Sequence, residues 1–400
     1  MNPNLSLLQA YPFERLRQLF SSVQPNASYA PISLGIGEPR HATPALIKQA
    51  FSDAVLGSGL SAYPATAGEP ALRDAIAQWA HRRYGLNLNA ATQILPINGS
   101  REALFAFAQT IVSPKAGAEK PWVVCPNPFY QIYEGAALLS GGAPYFVHSD
   151  PKRNFAQDWD SVPESVWAQT QLLFVCSPGN PAGAVMPLQE WKKLLDLSDR
   201  FGFVIASDEC YSEIYFRDEA PLGGLEAATQ LGRHDFKNLV SFTSLSKRSN
   251  VPGMRSGFCA GDAALIKPFL LYRTYHGSAM SPVVQTASIA AWNDEAHVID
   301  NRRMYREKFA KVTPMLAKVM DVALPDAGFY LWAAVGGSDE DFARDLYAAY
   351  NVTVLPGSYL AREARGHNPG AHRIRMALVA HTDECIEAAT RIVQFVQSRH

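Results

Sequence analysis

Short runs of consecutive apolar residues recur along the first 290 positions of the chain. They are QILPI (93–97), WVVCP (122–126), QLLFVC (171–176), FVIAS (203–207), LVSFT (239–243) and SGFCA (256–260). A strand with one wet face alternates apolar and polar positions; these do not, so each predicts a strand covered on both faces. Between them the spacing turns helical. REALFAFAQTIV (101–112) follows the first run, and LQEWKKLLDLSDRF (188–201) sets Trp191, Leu194, Leu195 and Ser198 on one face behind Pro187. Buried strands alternating with helices predict an α/β fold, a mostly parallel sheet sandwiched by helices. Beyond about residue 290 the pattern changes. A long charged helix, AHVIDNRRMYREKFAKVTPMLAKV, leads into FYLWAAV, VTVLPG and RIRMALV, and a closing helix over 383–397 places Ile386, Ala389, Val393 and Val396 at helical spacing. This reads as a smaller α+β domain. The expected division is an N-terminal arm and helix over 1–40 packing with the small domain, a large domain over 41–290, and the small domain over 291–400.

Composition narrows the partners. Four hundred residues suit about two domains. With 48% hydrophobic residues, 18% charged ones and a formal charge of −1, there is no electrostatic basis for nucleic acid or an anionic membrane as a partner. No apolar run approaches the roughly 18 residues that span a bilayer. The first residues lack a basic segment followed by an apolar one. Five scattered cysteines (Cys125, Cys176, Cys210, Cys259, Cys385), several inside apolar runs, read as reduced thiols in a cytoplasmic protein. The ten histidines form no HExxH or CxxC-type group, so no metal is expected.

The candidate chemistry lies just after the strands. INGSREALFAF (97–107) passes from strand to helix through Asn98-Gly99-Ser100, where free N–H groups can hold an anion. GIGEPR (35–40) lacks the third glycine of a dinucleotide fingerprint. VCSPGNPAG offers Asn180 in a turn, and FVIASDECYSEIYF puts Asp208 at a strand's carboxyl end with Tyr211 three residues on. SFTSLSKRSNVPGMRSGF places Lys247 after Ser244 and Ser246, with Arg255 eight residues later. Singly, each has an ordinary reading: a helix cap for Asp208, a plain turn for Asn180, a basic surface loop for Lys247. Jointly they are the parts needed to hold a phosphorylated, aromatic, nitrogen-containing aldehyde. Lys247 can form a Schiff base with it. Arg255, Ser244 and Ser246 can bind its phosphate, and Asp208 can keep a pyridine nitrogen protonated.

The motifs GEP, YPATAGEPALR, NGSREAL, SPGNPAG, SDECY, SLSK, PGMRSGF and RIRMAL occur in that order. With them the chain resembles the pyridoxal-phosphate aminotransferases of fold type I from about residue 30 onward. LGIGEPRH, SLSKRSNVPGMRSGF and YRTYHGSAMSP are most similar to N-succinyldiaminopimelate aminotransferases. The resemblance implies pyridoxal 5′-phosphate (PLP) carried on Lys247, with Asp208 at the ring nitrogen and Asn180 and Tyr211 at the ring oxygen. It implies Tyr130 against the ring face, with Phe129 the adjacent alternative. Gly99, Ser100, Arg101, Ser244, Ser246 and Arg255 would surround the phosphate, and Tyr63 would reach it from the partner subunit of a homodimer. Arg375, with Arg373 as its rival, would hold the substrate α-carboxylate beside Asn180 and the backbone of Gly37. The loop departs from many relatives at Ser177 and Ala182. Nearby Arg255 and the ring cation would lower the Lys247 pKa. Arg40 is a candidate for a distal carboxylate at the substrate entrance, or else a surface ion pair; Tyr29, Arg248 and His276 read as structural. The implied reaction transfers an amino group from glutamate to N-succinyl-2-amino-6-oxopimelate in lysine and diaminopimelate biosynthesis. The rivals are an aminotransferase for aspartate, aromatic or other amino acids, another PLP reaction, and a non-catalytic PLP-binding regulator.

Overall fold

All six consecutive apolar runs become strands of one eight-stranded sheet in the computed structural model, which describes residues 1–117 and 119–399. In chain order the strands are β1 (Ile94–Ile97), β2 (Trp122–Asn127), β3 (Ala143–Asp150), β4 (Ala156–Gln157), β5 (Thr170–Cys176), β6 (Val204–Asp208), β7 (Leu239–Ser244) and β8 (Gly257–Gly261). Their spatial order is β1-β8-β7-β6-β5-β2-β3-β4. Strand β8 runs antiparallel to both β1 and β7, the terminal β4 is antiparallel to β3, and the other neighbours are parallel. The run-on apolar pattern follows from two cores. Val124, Leu173, Ile205 and Leu239 enter a core with Trp79, Trp191 and Trp292 on one face. The adjoining Val123, Leu172, Ala206 and Val240 enter a core with Phe107, Phe174 and Phe242 on the other. The unexpected strands are β3 and β4. In β3 only Val147 is fully buried, so no apolar run marks it.

A second sheet joins β9 (Tyr330–Ala334), β10 (Leu355–Pro356) and β11 (Arg373–Ala377), all antiparallel, in the order β9-β11-β10. The long helix Ala296–Leu316 and the closing helix Thr382–Ser398 share a core with it through Tyr305, Phe309, Leu316, Ile392 and Phe395. The N-terminal helix Pro12–Phe20 stacks Phe20 on Tyr347, with ring centroids 4.2 Å apart. Ile32–Ser33 pairs in parallel with Val352–Thr353. Leu34 then continues this seam, accepting from the Ala377 N–H and donating to the Thr353 carbonyl. Residues 34–41 therefore lead from the small sheet to the edge of the large one. Among the described residues no helix is long and apolar enough to cross a membrane.

Parallel strands place their carboxyl ends together. Ile97, Asn127, Cys176, Asp208 and Ser244 end their strands at one edge of the sheet, where the antiparallel β8 begins just after Arg255. Open α/β sheets bind ligands at this edge.

Candidate active site

A cavity of about 650 Å³ opens there. Its wall includes Gly37, Ser100, Arg101, Tyr130, Asn180, Asp208, Tyr211, Ser244, Ser246, Lys247, Arg255 and Arg375. Lys247 lies in the short helix Leu245–Arg248, which Ser244 caps by accepting from the Ser246 N–H at 3.1 Å. Its Nζ donates to the Gly37 carbonyl at 2.8 Å and lies 5.2 Å from the Phe329 ring centroid. Burial lowers the Lys247 pKa to about 8, and the Arg375 and Arg101 guanidinium groups act in the same direction. The sequence pointed to Arg255 as the neighbouring cation, but desolvation dominates and Arg375 is the leading basic contributor.

Asp208 ends β6 and is buried. Its Oδ2 accepts from the Tyr133 hydroxyl at 2.7 Å and its Oδ1 from the Cys210 N–H at 3.4 Å. Burial raises its pKa; the Cys210 and Tyr133 hydrogen bonds and the Lys247 charge oppose that shift. An incoming cationic N–H would relieve the same desolvation penalty.

Two further groups meet at Tyr330 on the cavity wall. Arg375 Nη1 donates to Asn180 Oδ1 at 3.0 Å and Nη2 to the Gly35 carbonyl at 2.9 Å, while its guanidinium carbon sits 4.2 Å from the Tyr330 ring centroid. The Tyr211 hydroxyl meets that of Tyr330 at 3.1 Å. At the other end Gly99 has φ +88°, a left-handed backbone that glycine adopts without strain, and opens the helix Ser100–Ile111. A Cβ on Gly99 would collide with the Arg255 guanidinium. The Ser244 hydroxyl sits 2.9 Å from that of Ser246. The free N–H groups of the helix start, two hydroxyls and an arginine thus surround one space, a set suited to a phosphate dianion.

Residues 30–392 match the family model for aminotransferase class I and II. The chain belongs to the class I and II aminotransferases. It is 32% identical over 365 residues, 90% of each chain, to the LL-diaminopimelate aminotransferase of Aquifex aeolicus. The crystal structure of an aminotransferase from Neisseria meningitidis is 54% identical, with a TM-score of 0.95, and the match covers 99% of this chain and 100% of that one. A probable N-succinyldiaminopimelate aminotransferase from Thermus thermophilus is 25% identical with a TM-score of 0.83, over 96% of this chain and 99% of that one.

The family cofactor is PLP, and this aminotransferase has a site to fit it. Gly99 keeps the space beside Arg255 clear for a phosphate, and Asp208 is a buried carboxylate suited to a cationic ring nitrogen. Tyr130 lines the cavity, whereas Phe129 turns inward, its ring 5.0 Å from Phe146 and its N–H bonded to the Leu360 carbonyl. Arg375 lines the cavity and Arg373 does not; Arg373 lies over Phe155 at 4.8 Å. Arg101 donates its Nε to the Tyr130 hydroxyl.

Arg40 is not brought into the cavity. Its Nη1 pairs with Glu384 of the closing helix at 3.2 Å, both side chains partly exposed, which is the ion pair of the two expectations for it and not the distal-carboxylate ligand. Tyr63 does not line its own chain's cavity and is fully exposed. Tyr29 packs under Arg391, Arg248 is buried on Glu295, and His276 meets Ser278, all apart from the cavity wall. Ser177 accepts from the Met186 N–H at 2.9 Å and so fastens the asparagine loop itself.

Sequence reasoning missed Tyr133, Cys210, Tyr330 and Glu38. The wall includes Cys210, Tyr330 and Glu38, while Tyr133 reaches Asp208 from behind it. The available signal was Tyr133 in the first turn of an apolar helix, where a buried hydroxyl needs a partner. That partner is Asp208, which no local pattern names.

Proposed function

We propose that this aminotransferase serves the diaminopimelate route to lysine, moving an amino group from glutamate to N-succinyl-2-amino-6-oxopimelate, reversibly and with the two substrates taking turns. The observation that carries an amino-acid substrate is the Arg375–Asn180 pair on the cavity wall. The guanidinium has five N–H donors and uses two on Asn180 and Gly35, so three remain for an α-carboxylate. The diaminopimelate assignment is supported by the names of the Aquifex and Thermus relatives.

When bound, PLP supplies an aldehyde carbon to carry the amino group and a ring to take up negative charge. Lys247 Nζ would hold that carbon, then take the proton from the substrate Cα and deliver it to the carbon that carries the amino group; a pKa near 8 lets the amine do both near neutral pH. Asp208 would hold a proton at the ring nitrogen, and Asn180 and Tyr211 would donate to the ring oxygen. The helix start at Gly99–Ser100 with Arg101, Ser244, Ser246 and Arg255 would grip the phosphate, and Tyr130 would cover the ring. In a homodimer Tyr63 would reach the phosphate in the partner's site. Its full exposure supports this, as do Phe51, Val55, Leu56 and Leu60 exposed just before it.

A second reading is LL-diaminopimelate itself as substrate, which the 32% identity to the Aquifex enzyme favours. Coupled assays with succinylated and free diaminopimelate, alongside aspartate and aromatic amino acids, decide between them. The proposal expects kcat/KM at least tenfold higher for the succinylated compound; equal or reversed preference rejects it. Lys247→Ala is expected to lose turnover and the visible absorbance of the bound cofactor. Retention of both would reject the site assignment.

A further inference from the structure

We infer that His41, Asn301 and Lys308 form a buried positioning unit that sets the Lys247 amine against the Arg375 guanidinium. This rests on the proposed roles of those two cations. Three segments must hold a fixed spacing: the short helix bearing Lys247, the end of β11 bearing Arg375, and the strip 35–41 between them. The strip touches both cations through its backbone, the Gly35 carbonyl on Arg375 and the Gly37 carbonyl on Lys247. Its far end is His41, and there the three segments are tied together.

The hydrogen bonds fix the donors. Asn301 Nδ2 donates to the carbonyls of Lys247 at 3.2 Å and Arg248 at 3.4 Å, so its Oδ1 faces His41 Nδ1 at 2.8 Å and accepts from it. Asn250 Nδ2 donates to the same oxygen at 3.0 Å. His41 Nε2 therefore carries no proton and accepts from Lys308 Nζ at 3.0 Å, which also donates to the Leu378 carbonyl at 2.9 Å. Leu378 directly follows β11. One continuous chain thus runs from the Lys247 backbone, through the strip, to the strand that carries Arg375.

Lys308 is fully buried, and neither hydrogen-bond partner is a carboxylate. Other ionisable groups around the pair are Tyr305 and Asp300 on its own helix, Glu384 and Cys385 on the closing helix, and His381. Burial lowers His41 to about 4, so the ring is neutral at working pH and keeps the acceptor Lys308 needs. A lysine buried among neutral acceptors is costly for the fold alone, which points to a role beyond packing.

The test compares holoenzyme variants. Glutamine at 41 can donate at one end and accept at the other as this histidine does; leucine can do neither. His41→Leu and Lys308→Met are each expected to lower kcat about tenfold or more while KM changes less than twofold, because a small misplacement of the amine costs the proton transfer rather than binding. Both should also shift the pH midpoint of the bound cofactor's visible absorbance, and His41→Gln should restore kcat and midpoint. If His41→Leu does not fold, Lys308→Met carries the comparison. Parental kcat and midpoint in Lys308→Met, or a His41→Gln variant as slow as His41→Leu, overturns the inference. Borohydride reduction and peptide mass mapping separate the two levels. Cofactor on Lys247 in a parent-like Lys308→Met overturns the positioning unit alone, whereas cofactor on another residue overturns the site assignment as well.

Discussion

Replacing Arg375 with glutamine tests the proposed substrate end of the site most directly. The change removes the charge and the planar fork while keeping an amide donor. A hydrogen bond to a charged group contributes about 1.5–3 kcal/mol, so losing a two-bond grip on a carboxylate costs about 3–4 kcal/mol once non-additivity is allowed for. That corresponds to a fall of roughly 200- to 1000-fold in kcat/KM. The Gly35 carbonyl and Asn180 Oδ1 also lose donors, which should cost about 1 kcal/mol each in stability and lower Tm. Steady-state kinetics with the amino acid donor measures the main loss. An amine lacking the α-carboxylate is the internal control, since parent and variant should turn it over within about threefold of one another. Arg373→Gln is the structural control, because that side chain lies over Phe155 outside the cavity wall, and it should stay within about twofold of the parent. A large loss in Arg373→Gln with a parent-like Arg375→Gln would refute the assignment and move the carboxylate site two residues along the strand.

Tyr133→Phe removes a 2.7 Å donor from Asp208 without changing shape, and kcat measured by the coupled assay should drop about tenfold. Arg40→Ala should leave KM for every acidic substrate within about twofold, and urea melts should show a change below about 1 kcal/mol, since its ion pair with Glu384 is partly exposed. For acid stability, the folded-state pKa of His41, about 4 against 6.5 when free, means the fold binds fewer protons there than the unfolded chain does. Its contribution is complete above pH 6.5 and is lost as pH falls toward 4, by at most about 3 kcal/mol. Urea melts at pH 7 and 4.5 should therefore show the parent losing more stability than His41→Gln.

What the chain discloses locally and what it hides divide along a physical line. Strands buried on both faces announce themselves because neighbouring positions serve two different cores, as Val123 and Val124 do; β3, with only Val147 fully buried, gives no such run. Lys247, Asp208 and Asn180 were legible because each lies within a few residues of a strand end, and parallel strands bring those ends together. Phe129 and Tyr130 could not be told apart by pattern, since the bond from the Phe129 N–H to Leu360 decides which ring faces the cavity. Arg373 and Arg375 share a strand face, so only the register decides: Arg375 lies opposite Trp332 and Leu355, whereas Arg373 lies opposite Ala334, the last residue of β9. The two readings of Arg40 stayed open in the sequence because its partner, Glu384, belongs to the closing helix. Lys308 shows the limit most sharply. Tyr305, Phe309, Val312 and Leu316 form the buried stripe of their helix, and Lys308 falls on it, which the sequence displays. A lysine on an apolar stripe demands a partner. The stripe cannot name His41, because the proton acceptor arrives from a strip 267 residues away whose own position depends on the small sheet having formed.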